Sequence, residues 1–192
     1  MGKNVVIIGG TPRAGKTTLS LMLGKQGYNI ISFDRLSQAL ENGFPQCGIE
    51  NWNDHEECAK AKFGFFEAIV NGAIDDGEFY GMKTVIDMYD FTPEYIERLK
   101  NKEKIDALFL CYSGQTKEEI AYNIRHYAKP FEWIAQVSEE YLQEVAQRCH
   151  DFNELIVRKC AEYRYRCFDM SCGARRGEAL EEVAKFVMRE DS

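Results

Sequence analysis

Short apolar runs alternate along this chain with longer stretches in which apolar residues recur at helical spacing. A run of roughly four to eight apolar residues between turn signals is typical of a buried strand, whereas a three-to-four-residue recurrence favours a helix. Predicted strands cover residues 3–8, 29–33, 84–88, 107–111 and 165–169. Predicted helices cover residues 15–26, 35–41, a long segment within 53–76, 92–100, 115–127, 138–162 and 178–189.

This alternation predicts an α/β fold of three layers, with a five-stranded parallel sheet and helices on both faces. With 192 residues and no internal repeat or linker, the chain reads as a single domain over 1–192. Two connections, 35–83 and 112–163, are longer than a simple crossover requires. We therefore expect an acceptor-side insertion at about 35–83 and a helical lid at about 125–150.

The first predicted strand leads into GTPRAGKT, residues 10–17, which fits the phosphate-binding pattern G-x-x-x-x-G-K-[ST]. Small residues let backbone N–H groups surround a phosphate, Lys16 reaches the β and γ oxygens, and the Thr17 hydroxyl ligates Mg²⁺. The pattern therefore predicts ATP and Mg²⁺ as cofactors. The predicted nucleotide-binding residues are Gly10, Thr11, Pro12, Arg13, Ala14, Gly15, Lys16, Thr17, Thr18 and, after the fifth strand, Arg175.

Two carboxylates end predicted strands at the edge of the sheet where ligands bind in parallel folds. Asp34 ends the second strand, where it is placed to take the proton of an attacking hydroxyl or to cap the helix that follows. Asp87 ends the third strand and, with Thr17, is the predicted metal-side residue. Asp90 reads as a loop or cap residue.

Two arginines are candidates for phosphate and base contacts. Arg125 lies near the end of the helix after the fourth strand, where it is either a catalytic arginine acting with Lys16 and Asp34 or a surface residue. Arg175 lies in the turn before the last helix, where it either stacks on the adenine ring or belongs to ordinary helix-start chemistry.

Composition narrows the class of partner. The chain has 31 acidic and 24 basic residues and a formal charge of −7, which disfavours a general nucleic-acid surface. Its seven cysteines form no CxxC pair, which favours reduced thiols. No stretch has the length of a membrane span, and no signal-peptide pattern is present. We expect a cytoplasmic monomer or homodimer that acts on a small molecule, with no nucleic-acid or membrane partner.

With the phosphate loop, Asp34, Asp87 and Arg125 in this order, the chain resembles the superfamily of small phosphate-loop (P-loop) kinases, which includes adenylate kinase, shikimate kinase and antibiotic phosphotransferases. The resemblance implies the strand order 2-3-1-4-5 and an aspartate, at Asp34, that meets the acceptor hydroxyl. The sequence TVIDMYDFTP resembles the D-G-F-P-R strand end of adenylate kinase but lacks its glycine and arginine. The T-G-D-x-x-R site for AMP is also missing.

The function that these residues favour is transfer of the ATP γ-phosphoryl group to a small acceptor, with a hydroxyl group as the expected nucleophile. A nucleoside monophosphate kinase-like enzyme and a non-catalytic nucleotide-binding regulatory protein stay as alternatives, since the acceptor is not encoded in a motif. A GTPase switch is disfavoured, because D-x-x-G is absent and the segment at 101–104, NKEK, lacks the aspartate of N/T-K-x-D.

Overall fold

The chain folds as alternating strands and helices. The computed structural model describes residues 3–49, 55–128, 130, 133–171 and 173–190. Its strands are β1 (Val5–Gly10), β2 (Asn29–Ser32), β3 (Thr84–Asp87), β4 (Ile105–Cys111) and β5 (Arg166–Asp169). Its α-helices, within those ranges, are α1 (Lys16–Gly24), α2 (Phe33–Gly43), α3 (His55–Tyr80), α4 (Pro93–Glu97), α5 (Lys117–Tyr127), α6 (Glu139–Tyr163) and α7 (Arg176–Glu190).

The five strands form one parallel sheet in the order β2-β3-β1-β4-β5. The predicted α/β class and the strand order implied by the family resemblance are both confirmed. Because β1 lies at the centre, its carboxyl end meets the ends of β3 and β4, with Ile8 paired to Asp87 and Gly10 paired to Leu110. The phosphate loop therefore starts in the middle of the sheet edge where ligands are expected.

Alternate residues of the central strands pack into two separate cores. Val5 and Ile7 face a cluster that includes aromatic residues of α3, such as Phe66, and residues of α6. Val6 and Ile8 face the second cluster, which packs α1 and α7 on the other side of the sheet. Burial on both faces explains why these strands read as continuous apolar runs rather than as alternating ones.

The segment between β4 and β5 adds a third, smaller core. Ile120 and Ile124 of α5 pack against Leu142 and Ala146 of α6, together with Ile134 from the connection between the two helices. α6 is one continuous helix, and its later part contributes Phe152 and Ile156 to the main core. The predicted insertion, at about 35–83, covers most of α2 and all of α3, and the predicted lid, at about 125–150, covers the end of α5 and the first half of α6. Residues 50–54, 129, 131 and 132 lie outside the described residues. The roles of these segments as insertion and lid stay predictions.

Element boundaries differ from the prediction in three places that affect the site. β1 continues through Gly9 and through Gly10, the first glycine of the loop pattern, because both residues pair with β4. α2 begins at Phe33, so Asp34 lies in its first turn and not at the end of β2. α4 ends at Glu97, since Arg98 and Leu99 donate to carbonyls three residues back, in the tighter pattern that closes a helix.

Two further findings concern the chain as a whole. No helix among the described ranges is both long and apolar enough to cross a membrane. The cysteines that the structure describes are all free thiols, namely Cys47, Cys58, Cys111, Cys149, Cys160 and Cys167. Cys172 lies outside the described residues.

Candidate active site

The backbone between β1 and α1 makes the turn that the sequence pattern predicts. It passes through positive φ at Gly10 (117°), Arg13 (62°) and Gly15 (103°). A side chain at Gly10 is excluded, because a Cβ atom there would lie 2.1 Å from the carbonyl oxygen of Leu110. α1 then begins at Lys16 with no side chain capping its first turn. Its first N–H groups are consequently suited to an anion at the loop.

Lys16 lies in this loop with only 8% of its surface exposed. Its Nζ atom donates to the carbonyl oxygens of Gly10 at 2.9 Å and of Thr11 at 3.0 Å. Burial lowers the pKa of Lys16, while the carboxylates of Asp34 and Asp87 act in the opposite direction. The ammonium group is thus positioned where nucleotide phosphates would replace loop carbonyls as its partners.

Asp34 is held at the edge of the same site by the end of β3. Its Oδ1 atom accepts a hydrogen bond of 2.9 Å from the backbone N–H of Tyr89. Although the side chain borders open space, the surrounding protein displaces much of its water, and this desolvation raises the pKa of Asp34 to about 6. Lys16 lowers this pKa, and Asp90 raises it. α2 has no side-chain cap, so capping does not account for Asp34.

Asp87 and Thr17 are the predicted metal-side residues. The Oδ1 atom of Asp87 accepts a hydrogen bond of 2.9 Å from the Ser32 hydroxyl. Its Oδ2 atom is buried and has no hydrogen-bond partner among the described residues. A buried carboxylate oxygen without a partner is the kind of acceptor that a water or a hydrated cation satisfies. Thr17 is exposed and lines the cavity. Both residues therefore fit a magnesium site, which stays a prediction.

A cavity of about 760 Å³ opens over the phosphate loop. Its floor includes loop residues and Asp34, one wall comes from α3 and the end of β3, and the opposite wall comes from α5 and α6. Five basic and two acidic residues line it: Arg13, Lys16, Lys62, Arg148, Arg176, Asp34 and Asp90. This excess of positive charge suits a ligand that carries several phosphates.

The two arginines predicted from the sequence do not line this cavity. The guanidinium group of Arg125 donates to the carbonyl oxygens of Ala135 at 3.2 Å and of Val137 at 3.1 Å, and it lies 3.5 Å from a carboxylate oxygen of Glu139. Arg125 thus joins the end of α5 to the start of α6. Arg175 is exposed in the turn before α7. The arginines at the cavity are Arg13, Arg148 and Arg176.

A buried amide ties the phosphate loop to the helix that forms the cavity wall. Asn153 of α6 is 1% exposed, and its Oδ1 atom accepts from the Thr11 hydroxyl at 2.9 Å and from the Tyr112 N–H at 2.7 Å. Its Nδ2 atom donates to the Tyr112 carbonyl at 2.7 Å. Arg176 adds hydrogen bonds to the Arg13 carbonyl and the Tyr112 hydroxyl. The loop is therefore braced by β4, α6 and α7 together.

Two of these residues were not predicted from the sequence, although the sequence holds a signal for both. Lys62 lies one turn from Cys58 and one turn from Phe66 on the apolar face of α3. Asn153 has the same relation to Cys149 and Ile156 on α6. A polar residue on the buried face of an amphipathic helix needs a hydrogen-bonding or charged partner. The structure shows Asp90 as the partner of Lys62, and Thr11 and Tyr112 as the partners of Asn153.

Solved structures share this fold. A gluconokinase from Sinorhizobium meliloti matches with a TM-score of 0.56 and 13% identity, over 99% of this chain and 98% of that one. A shikimate kinase from Bacteroides thetaiotaomicron matches with a TM-score of 0.54 and 16% identity, over 96% and 98%. A sugar kinase from Janibacter matches with a TM-score of 0.59 and 12% identity, over 97% and 95%.

No protein-family model matches the chain, and no curated protein matches it. The matching solved structures show that the chain has the fold of the small P-loop kinases, and they confirm the resemblance seen in its sequence at the level of the fold. Identities of 12 to 16% leave the reaction and its substrate to be argued from the site itself.

Proposed function

We propose that the protein is an ATP-dependent phosphotransferase that moves the γ-phosphoryl group of ATP to a hydroxyl group of a small acceptor. The observation that carries this proposal is the shared cavity of Lys16, in its phosphate loop, and the carboxylate of Asp34. An anion-binding loop alone indicates nucleotide binding, whereas a carboxylate beside it supplies a base for an incoming alcohol.

The phosphate side of the cavity would hold ATP. Loop N–H groups and Lys16 bind the β- and γ-phosphates, and Arg13, Arg148 and Arg176 add positive charge. Mg²⁺, held by the Thr17 hydroxyl and oriented through Asp87, would neutralise charge that builds up on the phosphoryl oxygens. Because this positive charge is fixed before the reaction, little reorganisation is needed in the transition state.

Asp34 would act on the acceptor. The acceptor oxygen forms a bond to the γ-phosphorus as the bond from that phosphorus to the bridging oxygen of ADP breaks, and the hydroxyl proton passes to Asp34. A carboxyl group with a pKa of about 6 is largely ionised at neutral pH and still holds a proton better than an ordinary aspartate. The Tyr89 N–H bond fixes the carboxylate.

The proposal includes a lid, formed by residues of about 125–150, that closes the cavity. α5 and the first part of α6, up to Cys149, form one wall of the cavity and have a small core of their own, which supports their movement together. We propose that residues of about 125–150 close over bound substrates and exclude water, so that ATP is not hydrolysed. A cytoplasmic location and a monomeric or homodimeric state are likewise predictions.

The proposal is tested by phosphoryl transfer. The protein is incubated with ATP, Mg²⁺ and a panel of sugars, polyols, small alcohols, nucleosides and nucleoside monophosphates, and ADP and phosphorylated product are measured together. Transfer that depends on Lys16 and Asp34 supports the proposal.

Two other outcomes point to the alternatives. ATP binding without transfer to any compound favours a non-catalytic nucleotide-binding protein. Transfer to a nucleoside monophosphate that survives Asp34→Asn but not Arg35→Ala favours a nucleotide kinase. Arg35 is exposed and does not line the cavity, so no observation adds weight to that alternative.

A further inference from the structure

A buried ion pair forms the cavity wall next to Asp34. The Nζ atom of Lys62 lies 2.8 Å from the Oδ2 atom of Asp90, and the two residues are 2% and 6% exposed. Both line the cavity, as do Gln38 and Tyr89. We call Asp34, Gln38, Lys62, Tyr89 and Asp90 the acceptor wall.

Aromatic packing holds this wall in place. Phe33, which precedes Asp34, packs edge-on against Phe66 with their ring centroids 5.2 Å apart. Phe66 in turn stacks on Phe91, which follows Asp90, at 4.3 Å. α2, α3 and the end of β3 are therefore joined behind the polar side chains, and the wall presents a fixed set of polar groups to a ligand.

The charge of the acceptor wall differs from that of the phosphate side. Its two carboxylates and one ammonium group give it a formal charge of −1, and the ammonium group is already paired with a carboxylate at 2.8 Å. A phosphate or carboxylate on the acceptor would meet Asp34 and Asp90 at short range. Recognition of such an anion normally relies on arginine or lysine side chains available to it.

The remaining positive charge at the cavity belongs to the phosphate loop side. Arg13 and Lys16 are loop residues, and Arg176 donates to the loop carbonyl of Arg13. Arg148, on α6, has its guanidinium group 3.7 Å from a carboxylate oxygen of Glu144 and 6.0 Å from the centre of the Tyr141 ring. Arg13, Lys16 and Arg176 are therefore placed to serve ATP and not the acceptor, and the guanidinium group of Arg148 is paired with Glu144.

We infer that the acceptor is a polyhydroxy compound without a phosphate or carboxylate group, held through its hydroxyl groups by Asp34, Gln38 and the Lys62–Asp90 pair. Carboxylate and amide oxygens accept hydrogen bonds from hydroxyls, and a buried ammonium group donates to them. The inference rests on the proposed function for the role of this wall, and it narrows the acceptor from any small alcohol to an uncharged or amine-bearing polyol.

The test uses matched pairs of compounds, whose binding is measured by titration and whose phosphorylation is measured separately with ATP in the transfer assay described above. Each pair is a sugar or cyclitol and its counterpart with one phosphate or carboxylate, titrated into the full chain with Mg²⁺ and a non-hydrolysable ATP analogue. We expect the member without an anionic group to bind at least about tenfold more tightly in calorimetry. Tighter binding of the anionic member, or binding of neither member while the ATP analogue binds, would overturn the inference.

A change of charge in the wall provides a second test. Asp90→Asn removes a carboxylate but keeps the ammonium group of Lys62, so the variant should bind the anionic member of a pair about tenfold better than the native protein does. If Asp90→Asn does not fold, Lys62→Met/Asp90→Leu removes both charges together and should weaken binding of the neutral member. Unchanged selectivity in Asp90→Asn, or, if only the double variant folds, unchanged affinity for the neutral member in Lys62→Met/Asp90→Leu, would contradict the role of the pair.

The two levels of the proposal fail in different ways. Binding of neutral polyols without phosphoryl transfer would refute the phosphotransferase function and leave this assignment of the wall standing. Transfer to phosphorylated or carboxylated acceptors in preference to neutral ones would refute the assignment and leave the phosphotransferase function standing.

Discussion

Replacing Asp34 with asparagine should make the protein less active and, at the same time, more stable. The amide oxygen of the introduced asparagine can still accept the Tyr89 N–H, which Asp34 accepts at 2.9 Å, so the geometry is kept while the charge is lost. Turnover should fall by about 10²-fold or more, the size expected for losing a positioned base.

The stability gain follows from the raised pKa of Asp34. Its change from 3.8 to about 6 means that the folded protein holds the proton more tightly than the unfolded chain does. At ~1.4 kcal/mol per pKa unit the ceiling is about 3 kcal/mol. Because the side chain borders the open cavity, solvent screening reduces this, and we expect the ionised carboxylate to cost about 1 kcal/mol.

The pH dependence has a definite sign. A raised folded-state pKa destabilises the protein fully above pH of about 6, and the penalty disappears as the pH falls toward the unfolded value of 3.8. Urea unfolding should therefore show Asp34→Asn to be about 1 kcal/mol more stable than the native protein at pH 8, with a smaller difference at pH 5. The kcat/KM of the native protein should rise with pH through about 6.

Asp76→Asn serves as the control, since Asp76 is an exposed aspartate of α3 that does not line the cavity. It should change neither turnover nor stability. A loss of stability in Asp34→Asn would show that the carboxylate holds the fold together. Native turnover in Asp34→Asn would remove Asp34 from the reaction.

Other predictions concern the groups that support the site. Lys62→Met leaves Asp90 buried without its cation and should lower the free energy of unfolding by about 3–5 kcal/mol. Lys62→Met/Asp90→Leu should recover most of this loss, because it removes both charges. Equal losses of stability in the two variants, measured by urea unfolding, would contradict the energetic coupling of Lys62 with Asp90. Asn153→Ala should cost about 1–3 kcal/mol and weaken ATP binding in calorimetry, since the loop loses its brace; native ATP affinity would contradict this. Arg148→Ala should lower kcat at least about tenfold and leave the free energy of unfolding unchanged. Arg125→Ala should mainly lower the free energy of unfolding. The reverse pattern would show that Arg125, and not Arg148, acts in catalysis.

The sequence predicts most of the fold because the relevant signals are local. β1, β3 and most of β4 are short runs that the sheet buries on both faces, whereas the edge strands β2 and β5 are partly exposed. The phosphate loop is a contiguous pattern, and a side chain at its first glycine, Gly10, would collide with the backbone of β4. The start of α2 was less predictable. Ser32, Phe33 and Asp34 fit the end of a strand as well as the first turn of a helix, and aromatic packing of Phe33 favours the helix.

The acceptor side of the site depends on tertiary contacts and is harder to predict. Asp90 reads locally as a loop or cap residue, and only the folded chain shows that it pairs with Lys62, 28 positions earlier. The position of Arg125 near the end of a helix favours a lid arginine, but its environment depends on how the chain turns between α5 and α6. Which arginine faces the cavity is set by helix rotation, which one sequence does not reveal.

The most direct test of the account is ATP binding at the phosphate loop. ATP with Mg²⁺ is titrated calorimetrically into the native protein and into Lys16→Ala, whose fold is checked by circular dichroism. Lys16 is bonded to loop carbonyls and not to the apolar core, so the variant should fold normally, yet bind ATP at least about tenfold more weakly and show no phosphoryl transfer. Native affinity and turnover in folded Lys16→Ala would contradict the central claim that this loop binds the nucleotide and serves its transfer.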